Sequence, residues 1–436
     1  MFFSIPLLGF TATTMPQPGD LNPLRKSDIA EIIETLIDAY ERHYVFPDKA
    51  RALGTHIRKR FADGAYDKAT NLMAIAGTLS EDMRSFTNDK HICLSVLSPE
   101  NSSRPDDSDI DAKIARRERV NFGIRKAEWL EGNVGYLRLD YFDDVGYAGE
   151  AAAAAMNFIG RCDAAIIDLR YNVGGEETML RFLASYFFKK PTEINAIYST
   201  ETDSLRQSWT SAYVPGRKLI DADLYVLMSR YTASGAEAFA YSMKHAGRAI
   251  LVGETTTGAA HWAEFYDFPK IQLRAQIPIA RAVNPVTKTN WEGTGVTPDI
   301  EAPSENALAV AHHEALKAIL ERTTDEKLRS KLSWYLIAAE ARIEPVTLTL
   351  DKMQAYTGSY AGERAILIKN GALYWRYVDG NESRMIPFTE DLFGFDDTDD
   401  YRLAIVRDDN GQITGFRLLV RGSPPGQVRE RIGDFR

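Results

Sequence analysis

The chain contains few cysteines and fewer basic than acidic residues. Its 436 residues include only Cys93 and Cys162, which lack C-x-x-C spacing. This argues against a cysteine metal centre or a disulfide scaffold and leaves at most one bridge open. Lys and Arg number 52 against 61 Asp and Glu, a net charge of −9. Such a balance does not neutralise phosphates, so we expect no nucleic-acid partner.

Long apolar runs are missing too. The run Phe2–Phe10 is too short to span a bilayer, and we expect no integral membrane segment elsewhere. This run could be the core of an export signal, yet it lacks a basic start and an A-x-A cleavage site. Residues 1–26 are therefore interpreted as a leader or a disordered tail. With 44% hydrophobic and 26% charged residues, the remainder has ordinary globular composition.

The pattern of apolar residues predicts three further regions. Residues 27–100 carry helical periodicity and form an N-terminal helical subdomain. The polar stretch "SPENSSRPDDSD" at 98–109 spans the boundary to the next region, residues 101–343. This region then alternates short strands with helices, which predicts an α/β core with a largely parallel sheet. Residues 344–436 alternate apolar and polar residues around Asn-Gly and Asp-Gly turns, which predicts a small antiparallel β domain.

In open α/β sheets, functional residues lie at the carboxyl ends of the strands. Three such strand ends in this sequence carry unusual residues. The first is "DLRYNVGG", Asp168–Gly175, whose paired glycines could aim N–H groups at an oxyanion or could simply form a tight turn. The second is the segment around Ser234. The third is "GETTTGAAH", Gly253–His261, which could line a cleft or be a flexible turn.

Ser234 lies where the apolar run "LYVLM" gives way to an alanine-rich helical pattern. A serine there feels the positive end of the helix dipole, and the next N–H, that of Gly235, is free to donate. Serine is also a preferred N-cap residue, and for a lone serine the capping interpretation is favoured. The segment is not a G-x-S-x-G elbow, because Thr232 occupies the first glycine position.

A nucleophilic serine needs a base, and the chain has seven histidines. His312 and His313 lie in a helical pattern without H-E-x-x-H spacing, so we expect surface residues and no zinc site. His245 ends a predicted helix, where a cation suits the dipole. His43 and His56 lie on the predicted N-terminal helices and are expected to be packing or surface residues. His91 and His261 remain as candidates, and spacing alone does not choose between them.

Four motifs, taken in order, resemble the S41 serine peptidases, the family of tail-specific proteases, tricorn protease and the interphotoreceptor retinoid-binding protein (IRBP) modules. They are "DLRYNVGG", "TASGAEAFA", "GETTTGAAH" and "NWEGTGVTPDI". Upstream, "YVFPDKA", "FADGAYD" and "NDKHICLSV" are similar to the helical leader of the IRBP-like branch. The resemblance covers roughly residues 27–320, and too few residues precede the core to hold the PDZ domain of tail-processing members.

The resemblance implies a ClpP/crotonase-like α/β core with Ser234 as the nucleophile. The oxyanion hole would be formed by the N–H of Gly235 and that of either Gly174 or Gly175. Tail-processing members place a lysine base where this sequence has Ala259, so that dyad is not available here.

A tricorn-like arrangement instead implies His91 as base and Glu292 as its support. Lys90 stands where tricorn has a serine. His261 would line the cleft or replace His91 as base.

Other matched residues are expected to have supporting roles. Glu237 and Asp168 would hold the loops rather than react, because a buried carboxylate bonded to backbone N–H groups stabilises a loop. Asn172 and Thr257 are expected in the substrate cleft beside His261.

The leading hypothesis is a serine endopeptidase that cleaves peptides or unfolded proteins without metal or cofactor, in the periplasm or outside the cell. The alternative is a non-catalytic module that binds an apolar ligand or a peptide on the same fold, and a weaker one is a hydrolase of other amides or esters. The sequence does not set the oligomeric state.

Overall fold

The computed structural model describes residues 24–97 and 110–433. The predicted leader up to residue 23 and the predicted polar loop at 98–109 lie outside the described residues. The chain forms two compact units: one contains residues up to Trp129 together with Gly135–Ser304, and the other contains Leu130–Val134 and the residues from Glu305 onward.

Ten α-helices are found in the described ranges. They are α1 Lys26–His43, α2 Pro47–Ala62, α3 Leu72–Thr87, α4 Ile110–Glu118, α5 Val145–Phe158, α6 Glu177–Ser185, α7 Gly235–His245, α8 Ala307–Arg322, α9 Glu326–Ile343 and α10 Leu350–Tyr356.

The predicted N-terminal helical region is confirmed. Along α1 the apolar residues recur on one face and are buried, from Ile29 to Tyr40. α2 begins at Pro47, whose missing N–H costs nothing in a first turn. The Asn71 side chain caps α3 by accepting the Ala74 N–H at 2.9 Å. These helices share one hydrophobic core with the strands β1 and β10 described below.

A six-stranded sheet forms the predicted α/β core. Its strands are β2 Ile124–Leu130, β3 Val134–Leu139, β4 Ala164–Asp168, β7 Asp223–Met228, β8 Ile250–Gly253 and β11 Ile300–Glu301, in the order β11-β8-β7-β4-β3-β2. β4, β7, β8 and β11 run parallel. Asp168 pairs with Leu227, and Met228 pairs with Gly253, so the three chemically unusual loops leave the sheet side by side.

A second sheet in this unit is antiparallel, which the prediction of a largely parallel core did not include. It contains β1 Cys93–Val96, β5 Glu193–Ser199, β6 Ser204–Trp209, β9 His261–Phe268 and β10 Leu273–Val283. β10 pairs with β1, β5 and β9. Because β1 begins two residues after His91 and β9 begins at His261, both candidate histidines enter the site from this sheet.

The second unit contains α8 to α10 and the predicted antiparallel β domain, which is a closed barrel. Its strands are β12 Gly358–Tyr360, β13 Arg364–Lys369, β14 Ala372–Arg376, β15 Glu382–Pro387, β16 Leu392–Phe395, β17 Tyr401–Arg407, β18 Ile413–Val420 and β19 Val428–Gly433. Asn370 and Gly371 turn β13 into β14 with φ of 49° and 73°, as their sequence predicts.

The structure shows the environment of His312 and of the two cysteines. The expectation that His312 lies at the surface is wrong: it is buried, with Nε2 2.9 Å from the carbonyl oxygen of Glu131. The apolar residues flanking it in α8 draw that helix face, and His312 with it, into the protein. Cys93 is exposed and Cys162 is buried, and both are free thiols.

Candidate active site

Ser234 occupies the change from strand to helix that the sequence predicts. β7 ends at Met228, and Ser234 is the N-cap residue of α7. Its backbone has φ 51° and ψ −119°, a conformation open to glycine but strained for other residues. Strained residues concentrate at functional sites, where the surrounding structure holds them in place. Ser234 is therefore the N-cap residue that one interpretation expected, and its strained backbone is compatible with the other interpretation, a nucleophile.

The carboxylate of Glu237 connects the loops around Ser234 through hydrogen bonds. It accepts the backbone N–H of Ser234 at 2.9 Å, of Gly258 at 2.7 Å and of Ala259 at 2.9 Å, and it also accepts the hydroxyl of Thr256. Burial raises the pKa of Glu237, and these donors partly offset that rise. Its partners make Glu237 a structural link between the serine loop and the loop that follows β8.

Asp168 performs a similar task at the end of β4. It is fully buried and accepts the Tyr136 hydroxyl at 2.7 Å and the Arg170 guanidinium at 2.7 and 3.0 Å. The Arg170 backbone N–H donates to the same carboxylate at 3.0 Å. A buried carboxylate bonded to this many donors fixes the direction in which the chain leaves the strand.

Asn172 joins the glycine loop to the serine loop. Its amide nitrogen donates to the carbonyl oxygen of Leu139 at 3.1 Å, and its side-chain oxygen accepts the N–H of Gly174 at 2.8 Å. Its own carbonyl oxygen accepts the N–H of Ala233 at 3.1 Å. Asn172 is fully buried, so these bonds position the loop.

Both glycines of the pair are required by close backbone approach. A Cβ atom on Gly174 would lie 2.7 Å from the Gly235 nitrogen, and one on Gly175 would lie 2.0 Å from the Phe142 carbonyl oxygen. Their φ angles, 103° and 126°, are also unfavourable for side chains. The glycine loop can therefore lie directly against the serine loop only because it has no side chains there.

Two backbone N–H groups at this junction are open to a ligand. The Gly174 N–H is already bonded to Asn172. Among the hydrogen bonds of the described residues, none engages the N–H of Gly175 or of Gly235. Of the alternatives left open by the sequence, Gly175 with Gly235 is thus the pair whose N–H groups are available to an oxyanion.

A cleft of about 770 Å³, partly open to solvent, lies over this junction. Ser234, Gly235, Gly175, His91 and His261 all line it. Much of the remaining wall is apolar or aromatic. That part consists of Tyr141, Leu180, Ile197, Ala238, Ala260, Trp262, Ala263, Ala282 and Trp291.

His91 and Glu292 are brought together from distant parts of the chain. His91 Nδ1 lies 3.8 Å from Glu292 Oε2, longer than a hydrogen bond. The Glu292 carboxylate is itself held by three backbone N–H groups, those of Lys90 at 2.9 Å, Ala260 at 2.5 Å and His261 at 3.0 Å. It therefore ties the segment before β1 to the start of β9.

His261 forms a tighter pair with a residue that the sequence analysis did not single out. Its Nδ1 lies 2.6 Å from Asp89 Oδ2, which also accepts the Tyr44 hydroxyl at 3.0 Å. The other Asp89 oxygen accepts the His91 backbone N–H at 3.0 Å. Asp89 precedes His91 by two residues, so the "DKH" spacing was the available signal, but only the fold shows that Asp89 reaches His261.

Charge interactions in this buried group move two pKa values in opposite directions. Burial alone would lower the pKa of His91, but contact with Glu292 and the negative charges of Glu292, Asp89 and Glu237 raise it above its ordinary value. Burial alone would raise the pKa of Glu292, yet His91, His261 and the Lys90 N–H lower it to about 2. An imidazolium formed at His91 is thus stabilised by an ionised Glu292.

Not every residue expected in the cleft lines it. Asn172 is buried behind the glycine loop, and neither it nor Thr257 contributes to the lining. The Thr257 hydroxyl donates to the Arg230 carbonyl oxygen at 2.9 Å and its N–H donates to Thr232. His261 is the one of the three that lines the cleft.

Two family models match this chain. Residues 133–302 match peptidase family S41, and residues 23–121 match the N-terminal domain of peptidase S41 in eukaryotic IRBP. The first match contains the glycine and serine loops, and the second contains the His91 segment.

Parts of this chain are also similar to curated relatives and to a solved structure. A carboxyl-terminal-processing protease from Picosynechococcus is 28% identical over 39% of this chain, and one from Synechocystis is 32% identical over 29%. The matched regions make up 40% and 28% of those two relatives. A crystal structure described as a putative peptidase from Parabacteroides merdae is similar at a TM-score of 0.49 and 18% identity, covering 67% of this chain and 97% of that one.

The described residues contain no helix that is long and apolar enough to cross a membrane. The mixed α/β core, the N-terminal helical region and the C-terminal antiparallel barrel agree with the fold that the resemblance implied. Together with the two matched domains, this shows that the chain belongs to peptidase family S41.

Proposed function

We propose that this protein is a serine endopeptidase that hydrolyses peptide bonds in peptides or unfolded proteins, in the periplasm or outside the cell. The observation that carries the proposal is the convergence of three features on one cleft: the Ser234 side chain, two free backbone N–H groups and an imidazole pair. These are the nucleophile, the oxyanion donors and the base that acyl transfer requires.

In this proposal the Ser234 hydroxyl attacks the carbonyl carbon of the scissile bond. His91 takes the hydroxyl proton and returns it to the leaving amine, while ionised Glu292 stabilises the imidazolium that forms in between. The N–H groups of Gly175 and Gly235 donate to the oxyanion of the tetrahedral intermediate. Water then releases the acyl group by the same proton transfers in reverse order.

The 3.8 Å between His91 and Glu292 does not argue against this relay, because catalytic hydrogen bonds are often long before substrate binds. The 2.6 Å contact between His261 and Asp89 nevertheless makes His261 a second candidate base. Labelling by a fluorophosphonate separates the two. We expect His91→Ala to slow labelling of Ser234 by about 10² to 10⁴-fold, and a larger loss in His261→Ala would transfer the role to His261.

A non-catalytic binding module is the alternative, and the apolar part of the cleft wall favours it. The deciding experiment treats the full chain with a fluorophosphonate probe, with Ser234→Ala as the matched control. We expect one label per chain, located by peptide mapping at Ser234, and none in the variant. A folded protein that takes up no label, yet binds an apolar ligand or peptide, would establish the binding module instead.

A further inference from the structure

A buried nitrogen of His91 has no hydrogen-bond partner. The His91 side chain is only 10% exposed, and its Nδ1 atom is buried and makes no hydrogen bond. Buried polar atoms are nearly always satisfied, and an exception signals strain, a catalytic role, or a water or ion at that position.

Glu292 lies beside His91 Nδ1, and His261 and Asp89 are connected to Glu292 in turn. Glu292 Oε2 is 3.8 Å from it and 3.6 Å from His261 Nδ1, and the latter is 2.6 Å from Asp89 Oδ2. Donor atoms of Asp89, His91 and Glu292 all lie within 4.8 Å of one another. We call Asp89, His91, His261 and Glu292 the histidine–carboxylate cluster.

Three of the separations in the cluster are close to those around a tetrahedral ion. Zinc bound to nitrogen and oxygen at about 2.0–2.1 Å places neighbouring ligand atoms about 3.3 Å apart. The two contacts to Glu292 are slightly longer than this, and the contact between His261 and Asp89 is shorter. Shifts of well under 1 Å at each side chain would equalise them, once the hydrogen between His261 and Asp89 is released.

The chemistry of the donors also suits such an ion. Imidazole is a ligand that zinc and its neighbours prefer, and two carboxylates balance a charge of +2. The carboxylates are already oriented by the protein: the Lys90 N–H holds Glu292 Oε1, the N–H groups of Ala260 and His261 hold Oε2, and the Tyr44 hydroxyl holds Asp89 Oδ2. Such outer hydrogen bonds are what fixes ligands at established metal sites.

We propose that the histidine–carboxylate cluster binds a divalent transition-metal ion, zinc above all, and that the bound ion inhibits the protein. A neutral imidazole that binds metal through one ring nitrogen carries its hydrogen on the other nitrogen. It then has no lone pair with which to accept the Ser234 proton. The inhibition rests on the proposed function, but the binding does not.

Binding is tested on the full chain, freed of metal by a chelator and then titrated with zinc or cobalt(II). We expect one ion per chain and, for cobalt, the visible absorption of a tetrahedral complex. Affinity is expected to fall at least tenfold in His91→Ala and in Glu292→Gln, provided that circular dichroism shows both to be folded. The matched control is His56→Gln, which removes a histidine paired with Asp82 at 2.9 Å outside the cluster and should bind as the unmodified chain does.

A second measurement does not depend on variants. Crystals of the unmodified chain soaked in zinc should show an anomalous scattering peak among the four side chains. A peak only elsewhere, or none, overturns the proposal, as does equal affinity in folded His91→Ala.

The inhibitory part is tested by fluorophosphonate labelling. Saturating zinc should slow labelling of Ser234 at least tenfold, and a chelator should restore it. Equal labelling in zinc-saturated protein overturns inhibition. Failure to label in the chelator alone would instead count against the proposed function, while the titration would still decide whether the metal binds.

Discussion

The backbone of Ser234 is held in a conformation that suits glycine, with φ 51° and ψ −119°. For a residue with a Cβ atom, this region costs about 1–3 kcal/mol. The bond from its N–H to Glu237 and the contact of the glycine loop oppose relaxation. Holding the Ser234 hydroxyl in the cleft therefore lowers the stability of the folded protein.

Replacing Ser234 with glycine should separate stability from reactivity. We expect Ser234→Gly to raise the free energy of unfolding of the first unit by about 1 kcal/mol or more relative to Ser234→Ala, because glycine relieves the strain and alanine keeps it. Neither variant should label. The measurement is denaturant unfolding of both variants side by side, and an equal or lower stability for the glycine variant would show that Ser234 is not strained.

The glycine loop permits a matched pair of substitutions. Gly175→Ala places a Cβ atom 2.0 Å from a backbone oxygen, whereas Gly247 has a similarly positive φ of 63° but nothing within 4 Å of such an atom. Gly247→Ala should therefore cost only the backbone strain, about 1 kcal/mol, and label normally. Gly175→Ala should destabilise more and label at least tenfold more slowly, because it displaces a proposed oxyanion donor.

At the scale of elements, α8 carries a histidine whose burial makes stability depend on pH. Burial lowers the pKa of His312, and the charges of Arg342 and His313 act in the same direction, while Glu131 opposes them. The folded state thus disfavours the protonated ring. As pH falls through the ordinary histidine value near 6.5, the unfolded chain takes up a proton that the folded chain does not, so stability is lost on acidification.

Hydrogen exchange of the α8 amides should report this loss. We expect protection of these amides to fall between about pH 7 and pH 5.5 in the unmodified chain, after correction for intrinsic exchange rates. In His312→Gln, whose amide can still donate to the Glu131 carbonyl, the extra loss should disappear. The same pH dependence in both proteins would mean that another group is responsible.

The elements that the sequence predicted well are those whose pattern is local. The apolar period of α1, the buried run before Ser234 and the Asn370-Gly371 turn each follow from neighbouring residues. The antiparallel sheet around β10 was missed because its pairings join segments far apart in the chain, such as Cys93 with Gln276. The side of α8 that His312 occupies likewise depends on packing rather than on its neighbours in sequence.

The same division holds within the site. Ser234 and the glycine pair could be found from local motifs, and the family resemblance supplied His91 and Glu292. Asp89 could not be chosen, because an aspartate near a histidine is common and its contact with His261 spans 172 positions. Which of the two glycines has a free N–H also required the Asn172 hydrogen bond.

At the scale of the whole molecule, all the site residues belong to the first unit, and the barrel belongs to the second. Trp375 is fully buried in the barrel core. Trp375→Ala should lower the free energy of unfolding of the second unit by about 3–5 kcal/mol, because it leaves a large cavity. We expect fluorophosphonate labelling under native conditions to remain within twofold of the unmodified chain, and a large loss would show that the barrel supports the site.

The Glu292 carboxylate links the site by accepting N–H groups from Lys90 and His261, which lie 202 and 31 positions earlier in the chain. On the ribosome, therefore, a growing polypeptide carries its hydroxyl and both imidazoles before it has the acid that organises them. The proposed centre can be completed only after residue 292 has left the exit tunnel, so synthesis itself delays the moment at which the proposed peptidase could act.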